Sequence, residues 1–391
     1  MRFDHIKEWR NKCTGCSACI SVCPKGAVHM ITAAGGFEYP SVDETICIQC
    51  GLCEKVCSIG KKLKKTQNKA VYASRAADEK VRSMGSSGGV FEIAARNIVD
   101  SGGSVYGAVF DPESKNVMHV SNCDKGIEPL LRSKYVQSKM RTTYREVGER
   151  LERGDTVLFS GTPCQIRGLY GYLNAKGIYG DLTTMDFFCH GVPSPGIFKE
   201  YIEALEREHG SNVVNVTFRE KEKGWRQQTT RVYFSNGNIL SFDSEKHFYY
   251  YMFLNNYILR DSCYGCQEYC SHMADITMAD YWDVAAEKDD DQGMSLVLLN
   301  TEKGIKLWAR IANEVVSEPL SPQSFNYKPY SHENYDYHRK RKCMAVYRRS
   351  GIHGLRKRFF VKQYILDHCN RKVRHIGGSC KRMLKAVILK R

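Results

Sequence analysis

The chain has 391 residues, 42% of them hydrophobic, with 17 cysteines and a formal net charge of +15 at pH 7. That length is too great for one small core and sets two or three domains as the expectation. No stretch approaches the eighteen or so apolar residues of a membrane span, and the odd cysteine count argues against a secreted disulfide scaffold, so a cytoplasmic, metal-binding protein is expected.

The first 62 residues contain an internal repeat. CTGCSACISVCP supplies Cys13, Cys16, Cys19 and Cys23, and CIQCGLCEKVC supplies Cys47, Cys50, Cys53 and Cys57, each 34 residues after its counterpart. The spacing C-x2-C-x2-C-x3-C is the bacterial ferredoxin pattern, in which three close thiolates wrap one cubane and the fourth cysteine ligates the other. One [4Fe–4S] cluster is therefore expected on Cys13, Cys16, Cys19 and Cys57, and a second on Cys47, Cys50, Cys53 and Cys23. Gly15, Ser17 and Gly51 are small enough to let the backbone fold tightly around a cluster and turn its amides to the sulfurs. Zinc favours paired C-x2-C knuckles closed as a tetrahedron, which two runs of three cysteines do not suit. Ser58 stands where a proline usually follows the last cysteine, and this leaves the ligand count unchanged.

A lysine-rich stretch, Lys61 to Lys65, marks a domain boundary. Beyond it Val71–Ala73 and Val105–Phe110 read as strands. Val90, Ile93, Ala94 and Ile98 have helical spacing, ended by Gly102 and Gly103. GSSGG, Gly85 to Gly89, thus falls at a helix start, where free amides can receive a phosphate or a flavin edge; a plain Ser/Gly cap explains it equally well. TVLFS (156–160) is a buried strand, Pro163 opens a helix that Gly177 can end, and LTTMDFF (182–188) is a second strand. Strand, helix and strand over about thirty residues make a right-handed βαβ unit with parallel strands. Cys164 and Cys189 each follow one of these strands, at the carboxyl edge where open α/β sheets place ligands.

CYGCQEYC adds Cys263 and Cys266. With Cys164 and Cys189 these make four thiolates, enough for a third [4Fe–4S] cluster. Two alternatives stand beside it. Cys164 and Cys189 can be buried small hydrophobes, and Cys263 and Cys266 can hold zinc with Cys270 and His272. His190, next to Cys189, is a candidate catalytic proton donor to a flavin or substrate, or a residue that only caps a strand end.

GSSGGVF (85–91), SKYVQS (133–138), FSGTPCQIRGL (159–169), FFCHGVPSP (187–195), KGWR (223–226), CYGC (263–266) and ADITMADYW (274–282) occur in one order. On these motifs the chain resembles the coenzyme F420 hydrogenase/dehydrogenase beta-subunit family, in the form preceded by a two-cluster ferredoxin domain. The resemblance implies an α+β fold: a ferredoxin-like 2x[4Fe–4S] domain (1–62), then a mixed α/β flavin- and Fe–S-binding domain (70–210 and 211–320). The second part would hold a strand and a hairpin turning at Asn236-Gly237. A basic helical tail (331–391) would follow.

The resemblance also implies FAD beside a third cluster on Cys164, Cys189, Cys263 and Cys266. Flavin contacts are expected from Ser86, Ser87, Gly88, Gly89, Lys134, Tyr135, Gln137, Ser138, Thr162 and Gln165. Ala279 and Asp283 replace glycines usual in the family, and Cys270 is an extra cysteine beside the expected ligands. The implied function is an iron–sulfur flavoprotein oxidoreductase that exchanges a hydride with a soluble partner: ferredoxin, F420-like coenzyme or NAD(P)H. Some bacterial relatives belong to surface-polysaccharide gene clusters. The alternative is a non-catalytic electron-transfer subunit that bridges a partner redox enzyme and a carrier.

The charge is concentrated at the end. From Ser331 onward there are 18 Lys+Arg against 3 Asp+Glu, and the preceding residues hold 40 of each sign. This tail mixes basic clusters with apolar residues at roughly helical spacing. It can pack on the body, or lie on an anionic membrane surface as a peripheral contact at the inner face. No nucleic-acid motif accompanies it, and nucleic acid is set aside as a partner.

Overall fold

A computed structural model describes residues 6–59, 61, 68–243, 246–266, 268, 271–321, 332 and 335–361. Each half of the repeat forms a thiolate loop that runs into a five-residue helix, Ala18–Val22 in the first and Leu52–Val56 in the second. Ser17 and Gly51 hold the same left-handed backbone at the two helix starts, φ 66° and 72°, and Gly15 and Gln49 hold it two residues earlier. Ser17 and Gln49 are not glycines, so the chain bears strain there, as it often does at binding loops. Between the helices lies an antiparallel hairpin of β1 (Val28–Thr32) and β2 (Glu38–Val42).

The rest of the chain builds two sheets. The larger takes β3 (Ala70–Ala76), β4 (Ser104–Asp111), β5 (Asn116–Ser121), β6 (Val157–Ser160) and β7 (Leu182–Phe187). After the smaller sheet's β8 (Val213–Glu220), β9 (Thr229–Phe234) and β10 (Ile239–Asp243), the chain returns to the larger one with β11 (Ile276–Asp280), β12 (Ser295–Leu299) and β13 (Val315–Pro319). The large sheet runs β13-β3-β12-β11-β7-β6-β4-β5. Its centre, β11-β7-β6-β4, is parallel, and the strands on either side join antiparallel. Val157, Leu158 and Phe159 of β6 are buried consecutively. That is the signature of a strand covered on both faces.

The expected βαβ unit is present. Thr162 and Gln165 form a capping box at the start of the helix Pro163–Lys176, and Gly177 closes it at φ 67°. Cys164 therefore sits in the first turn of a helix that leaves the carboxyl edge of β6, and Cys189 follows β7 at the same edge. The hairpin of β9 and β10 turns through Asn236 and Gly237 as expected.

The cysteine-rich module has only a small cluster of its own, Cys13, Phe37 and Tyr39 with Ala33 and Ile59, and shares a larger one with the body. Ala18, Val22 and Val56 pack into the same apolar cluster as Leu169, Tyr172 and Leu173 of the body helix. Arg145 donates to the carbonyls of Ile20 and Ser21 at 2.8 and 2.9 Å. Of the readings open for the tail, the described part takes the packed one. Its helix Tyr337–Leu355 buries Lys340, Cys343, Met344 and Leu355 against the body, because its apolar residues recur at helical spacing. Residues 362–391 lie outside the described residues. Among those described, no helix is long and apolar enough to cross a membrane.

Candidate functional site

The thiols fall into groups that feel one another's charge. Burial, then Cys16, Cys13, Cys57 and Cys53, push the Cys19 thiol well above its ordinary range. Burial and the charges of Cys16 and Cys13 push Cys57 up to about 11. These four, Cys13, Cys16, Cys19 and Cys57, are the set expected for the first cluster. In the second set, Cys53 is raised by burial and feels Cys23. Burial also acts against the Cys23 thiolate, but the backbone amides of Val28, Lys25, Ala27 and Gly26 outweigh it and leave the pKa lowered. Cys47 is half-buried and Cys50 exposed. Among the described residues, no group of three or more His, Cys, Asp or Glu side chains gathers as closely as a single bound ion requires.

The distant cysteines come together as well. Burial raises Cys164, with Cys189 and Cys266 adding to it. Burial raises Cys189 too, with Cys263 and Cys266 as its charged neighbours. Two amides aim at these sulfurs: Gly191 N–H lies 3.4 Å from Cys189 Sγ, and Val192 N–H lies 3.4 Å from Cys263 Sγ. His272 contacts Asp186 through Nδ1 at 3.0 Å. Cys270 lies outside the described residues.

Beside Cys189 opens a cavity of about 480 Å³. Its wall carries eight of the ten expected flavin contacts: Ser86, Ser87, Gly89, Lys134, Tyr135, Ser138, Thr162 and Gln165. The other two stand apart from it. The Gly88 amide bonds Ser295 Oγ at 2.9 Å, and a Cβ there would come within 2.3 Å of the Ser74 carbonyl. The Gln137 side chain instead donates to the Thr14 carbonyl at 2.8 Å and accepts from Arg260 at 2.9 Å, so it ties the body to the first thiolate loop.

Cations surround the Ser–Gly loop, of which the sequence singled out Lys134 alone. Arg219 is buried and forks onto Asp280, yet its Nε has no hydrogen-bond partner. Lys221 bonds the carbonyls of Arg82 and Ser87. Burial, then Arg82, Arg219 and Arg132, lower its pKa to about 7. Lys134 is lowered to about 7 by burial and by Arg132. The KGWR and ADYWD segments meet here: Trp225 and Trp282 stack with centroids 4.2 Å apart, and Arg226 reaches Asp289 at 2.7 Å. Ala279, Asp280 and Trp282 line the cavity, so the replaced glycine at 279 leaves room for it.

His190 lines the cavity between Phe253 and Tyr335. The Tyr335 hydroxyl donates to the His190 carbonyl at 2.9 Å, so Nδ1–H must donate to the Tyr335 oxygen, 3.2 Å away. Hydrogen bonding to the Asn256 side chain and the Phe253 backbone favours the charged ring, but less than burial opposes it. Burial and the charge of His332 lower the His190 pKa to about 4. His332 lies between the two cysteine loops, Nδ1 3.1 Å from the Cys263 carbonyl and Nε2 2.9 Å from the Cys189 carbonyl, and its neutral ring donates to one of them. His332 and Tyr335 belong to a stretch whose sequence signals only its charge, and nothing in it announces this role.

Comparisons with known proteins agree with the motifs. Residues 154–322 match the family model for the C-terminal part of the coenzyme F420 hydrogenase/dehydrogenase beta subunit, and residues 12–61 match a 4Fe-4S dicluster domain. No curated protein matches the chain. Among solved structures, a chain of the F420-reducing [NiFe] hydrogenase complex from Methanosarcina barkeri is similar at 16% identity and a TM-score of 0.49. The match covers 73% of this chain and 93% of that one. Residues 154–322 thus carry the C-terminal part of the coenzyme F420 hydrogenase/dehydrogenase beta-subunit family, and residues 12–61 carry a 4Fe-4S dicluster domain.

Proposed function

We propose that this protein is an iron–sulfur flavoprotein oxidoreductase. In this reading the repeat holds two [4Fe–4S] clusters, Cys164, Cys189, Cys263 and Cys266 hold a third, and FAD occupies the cavity beside Cys189. The observation that carries the reading is the shared wall. Cys189 lines the cavity that also contains the Ser–Gly loop and Thr162 at the head of the Cys164 helix. A group in the cavity thus lies against the third thiolate site.

The residues suit both guests. N–H groups already point at Cys189 and Cys263 sulfurs, the bonds that ligand sulfurs of a cluster accept. The unpartnered Nε of Arg219 suits an anionic cofactor, as does the cation group of Arg132, Lys134 and Lys221. When bound, FAD supplies both one- and two-electron steps, and each cluster passes one electron. Within the chain, the Ser–Gly loop binds and Lys221 fixes that loop by its Ser87 carbonyl. His190, neutral near pH 7, lines the cavity and can exchange a proton with a group bound there.

The test is anaerobic purification with iron, acid-labile sulfide and released flavin measured on one sample. About twelve irons and one FAD per chain support the reading. About eight irons without flavin overturn it and leave a two-cluster carrier joined to a body of another function. With flavin present, turnover with NAD(P)H, F420 or reduced ferredoxin separates an enzyme from a bridging subunit.

A further inference from the structure

Arg260 is 1% exposed and lies at the seam between the cysteine-rich module and the body. Its guanidinium makes four contacts. Nε donates to the Cys13 carbonyl at 2.6 Å, Nη1 to Gln137 Oε1 at 2.9 Å, and Nη2 to the Glu38 carbonyl at 2.8 Å; Nη2 also lies 3.7 Å from Cys13 Sγ. It sits over the Tyr39 ring at 4.3 Å. None of these partners is a carboxylate. The adjacent Asp261 is instead taken by Lys340 and by the hydroxyls of Tyr39 and Tyr337. A guanidinium stays charged under all ordinary conditions, and a buried charge without a counter-charge is costly.

The anions within its reach are thiolates, on both sides. Toward the module, Arg260 closes on Gly15, where a Cβ would fall 2.7 Å from Nη1 and 2.9 Å from Gln137 Nε2. Toward the body, the Arg260 amide bonds the Val192 carbonyl at 2.9 Å, and its own carbonyl receives the Cys263 amide at 3.0 Å. Val192 in turn points its amide at Cys263 Sγ. One residue thus spans from the first thiolate set to the third. The second set lacks this cation: around Cys53 the charged neighbours are Glu54 and Cys23.

We propose that Arg260 is a positioning residue that couples the Cys13 site to the Cys263 site and, through its buried charge, holds the reduction potentials of clusters at both above where they would otherwise lie. This rests on the cluster assignment above. A cation and an N–H donor beside a ligand sulfur favour the reduced, more negative cluster, which raises the potential. The Cys13 site, wedged on the Cys164 helix, is then the inner station of the module. A Cβ on Gly168 of that helix would lie 3.0 Å from Cys16 Sγ, one turn from Cys164.

The experiment is an anaerobic redox titration, followed by EPR, of the full reconstituted chain and its Arg260→Gln and Arg260→Lys variants. Arg260→Gln should shift two of the three midpoints to more negative values and leave the third, from the Cys47 site, in place. Arg260→Lys, which keeps the charge but loses the fork, should stay nearer the wild type. Midpoints that do not move, or three that move alike, overturn the proposal, as does a Lys variant indistinguishable from Gln. If Arg260→Gln loses iron, Arg260→Lys still decides, because its midpoints follow the wild type only if charge governs them. Failure of the cluster assignment is read separately, from the wild-type iron content: about eight irons remove the third site while leaving one midpoint on which the Arg260 effect is tested.

Discussion

Cys13 and Cys16 stand against Arg260 and the helix Pro163–Lys176, whereas Cys47 and Cys50, 34 residues later, stand in a loop whose Ile46 and Ile48 are 48% and 56% exposed. The two loops have the same cysteine spacing and the same left-handed turns. Spacing therefore sets how each loop wraps its guest, and the body decides what that guest faces. One half of the repeat is covered by the body and carries a buried cation. The other keeps a solvent-facing edge at Ile46, Ile48 and Cys50. A ferredoxin-like module docked in this way has an inward and an outward end.

The comparison breaks most sharply at the ligands. Cys263→Ser or Cys164→Ser should remove one cluster's iron, about four of twelve atoms, and leave the two clusters of the module. Iron and sulfide assays on the anaerobic protein check this. Unchanged content in both variants would sink the third site and with it the inward destination.

The seam itself is tested at Gly36. Its φ is 75°, and a Cβ there would lie 2.3 Å from the backbone nitrogen of Gly196. The Gly196 amide bonds the Gly35 carbonyl at 2.9 Å, so module and body backbones touch directly. Backbone cannot move aside as a side chain can. Gly36→Ala should therefore cost about 3 kcal/mol from the clash and the left-handed strain together. The urea midpoint measures it, and a loss below about 1 kcal/mol would show that the seam yields.

How much of this was legible in the sequence depended on whether the signal was local. The repeat, the βαβ unit, the helix opened by Pro163 and the Asn236-Gly237 turn all arise from neighbours in sequence, and all stand where the motifs put them. The meeting of Cys164, Cys189, Cys263 and Cys266 followed from counting thiolates against sheet topology. Arg260, Arg219 and Lys221 were not legible. A buried cation and an exposed one read alike in sequence, and their partners are carbonyls or side chains far along the chain. Gln137 was misplaced for the same reason: its motif neighbours line the cavity, but its own side chain turns to the module. The tail's apolar residues at helical spacing left packing and a membrane surface both open, and the described helix buries Cys343, Met344 and Leu355.

Acid should test the body through its buried histidines. His247 is buried, its Nδ1 accepts from the Tyr250 amide at 3.3 Å, and its Nε2 bonds Tyr201 at 2.7 Å. Burial lowers its pKa to about 3, and burial lowers His119 to about 3 as well. The unfolded chain, with histidines near 6.5, then binds more protons than the folded one between about pH 6.5 and 3. Stability should fall with pH across that window, by up to about 1.4 kcal/mol per pH unit for each such histidine. Replacing His247 with Gln should flatten the acid limb of thermal midpoint against pH. An unchanged slope would mean that the ring titrates in the folded state.

The smallest effect belongs to the outward half. Gly51 occupies the turn equivalent to Ser17, with φ 72°, and a Cβ there would meet nothing within 4 Å. Only the left-handed backbone opposes an alanine, and Ser17 shows that the first loop holds that backbone with a side chain in place. Gly51→Ala should thus cost about 1 kcal/mol, well below Gly36→Ala, and leave the iron content of the module unchanged. Paired urea midpoints for the two variants read the difference directly. Equal losses would mean that both ends of the module are packed alike, and the inward and outward halves would then differ in charge alone.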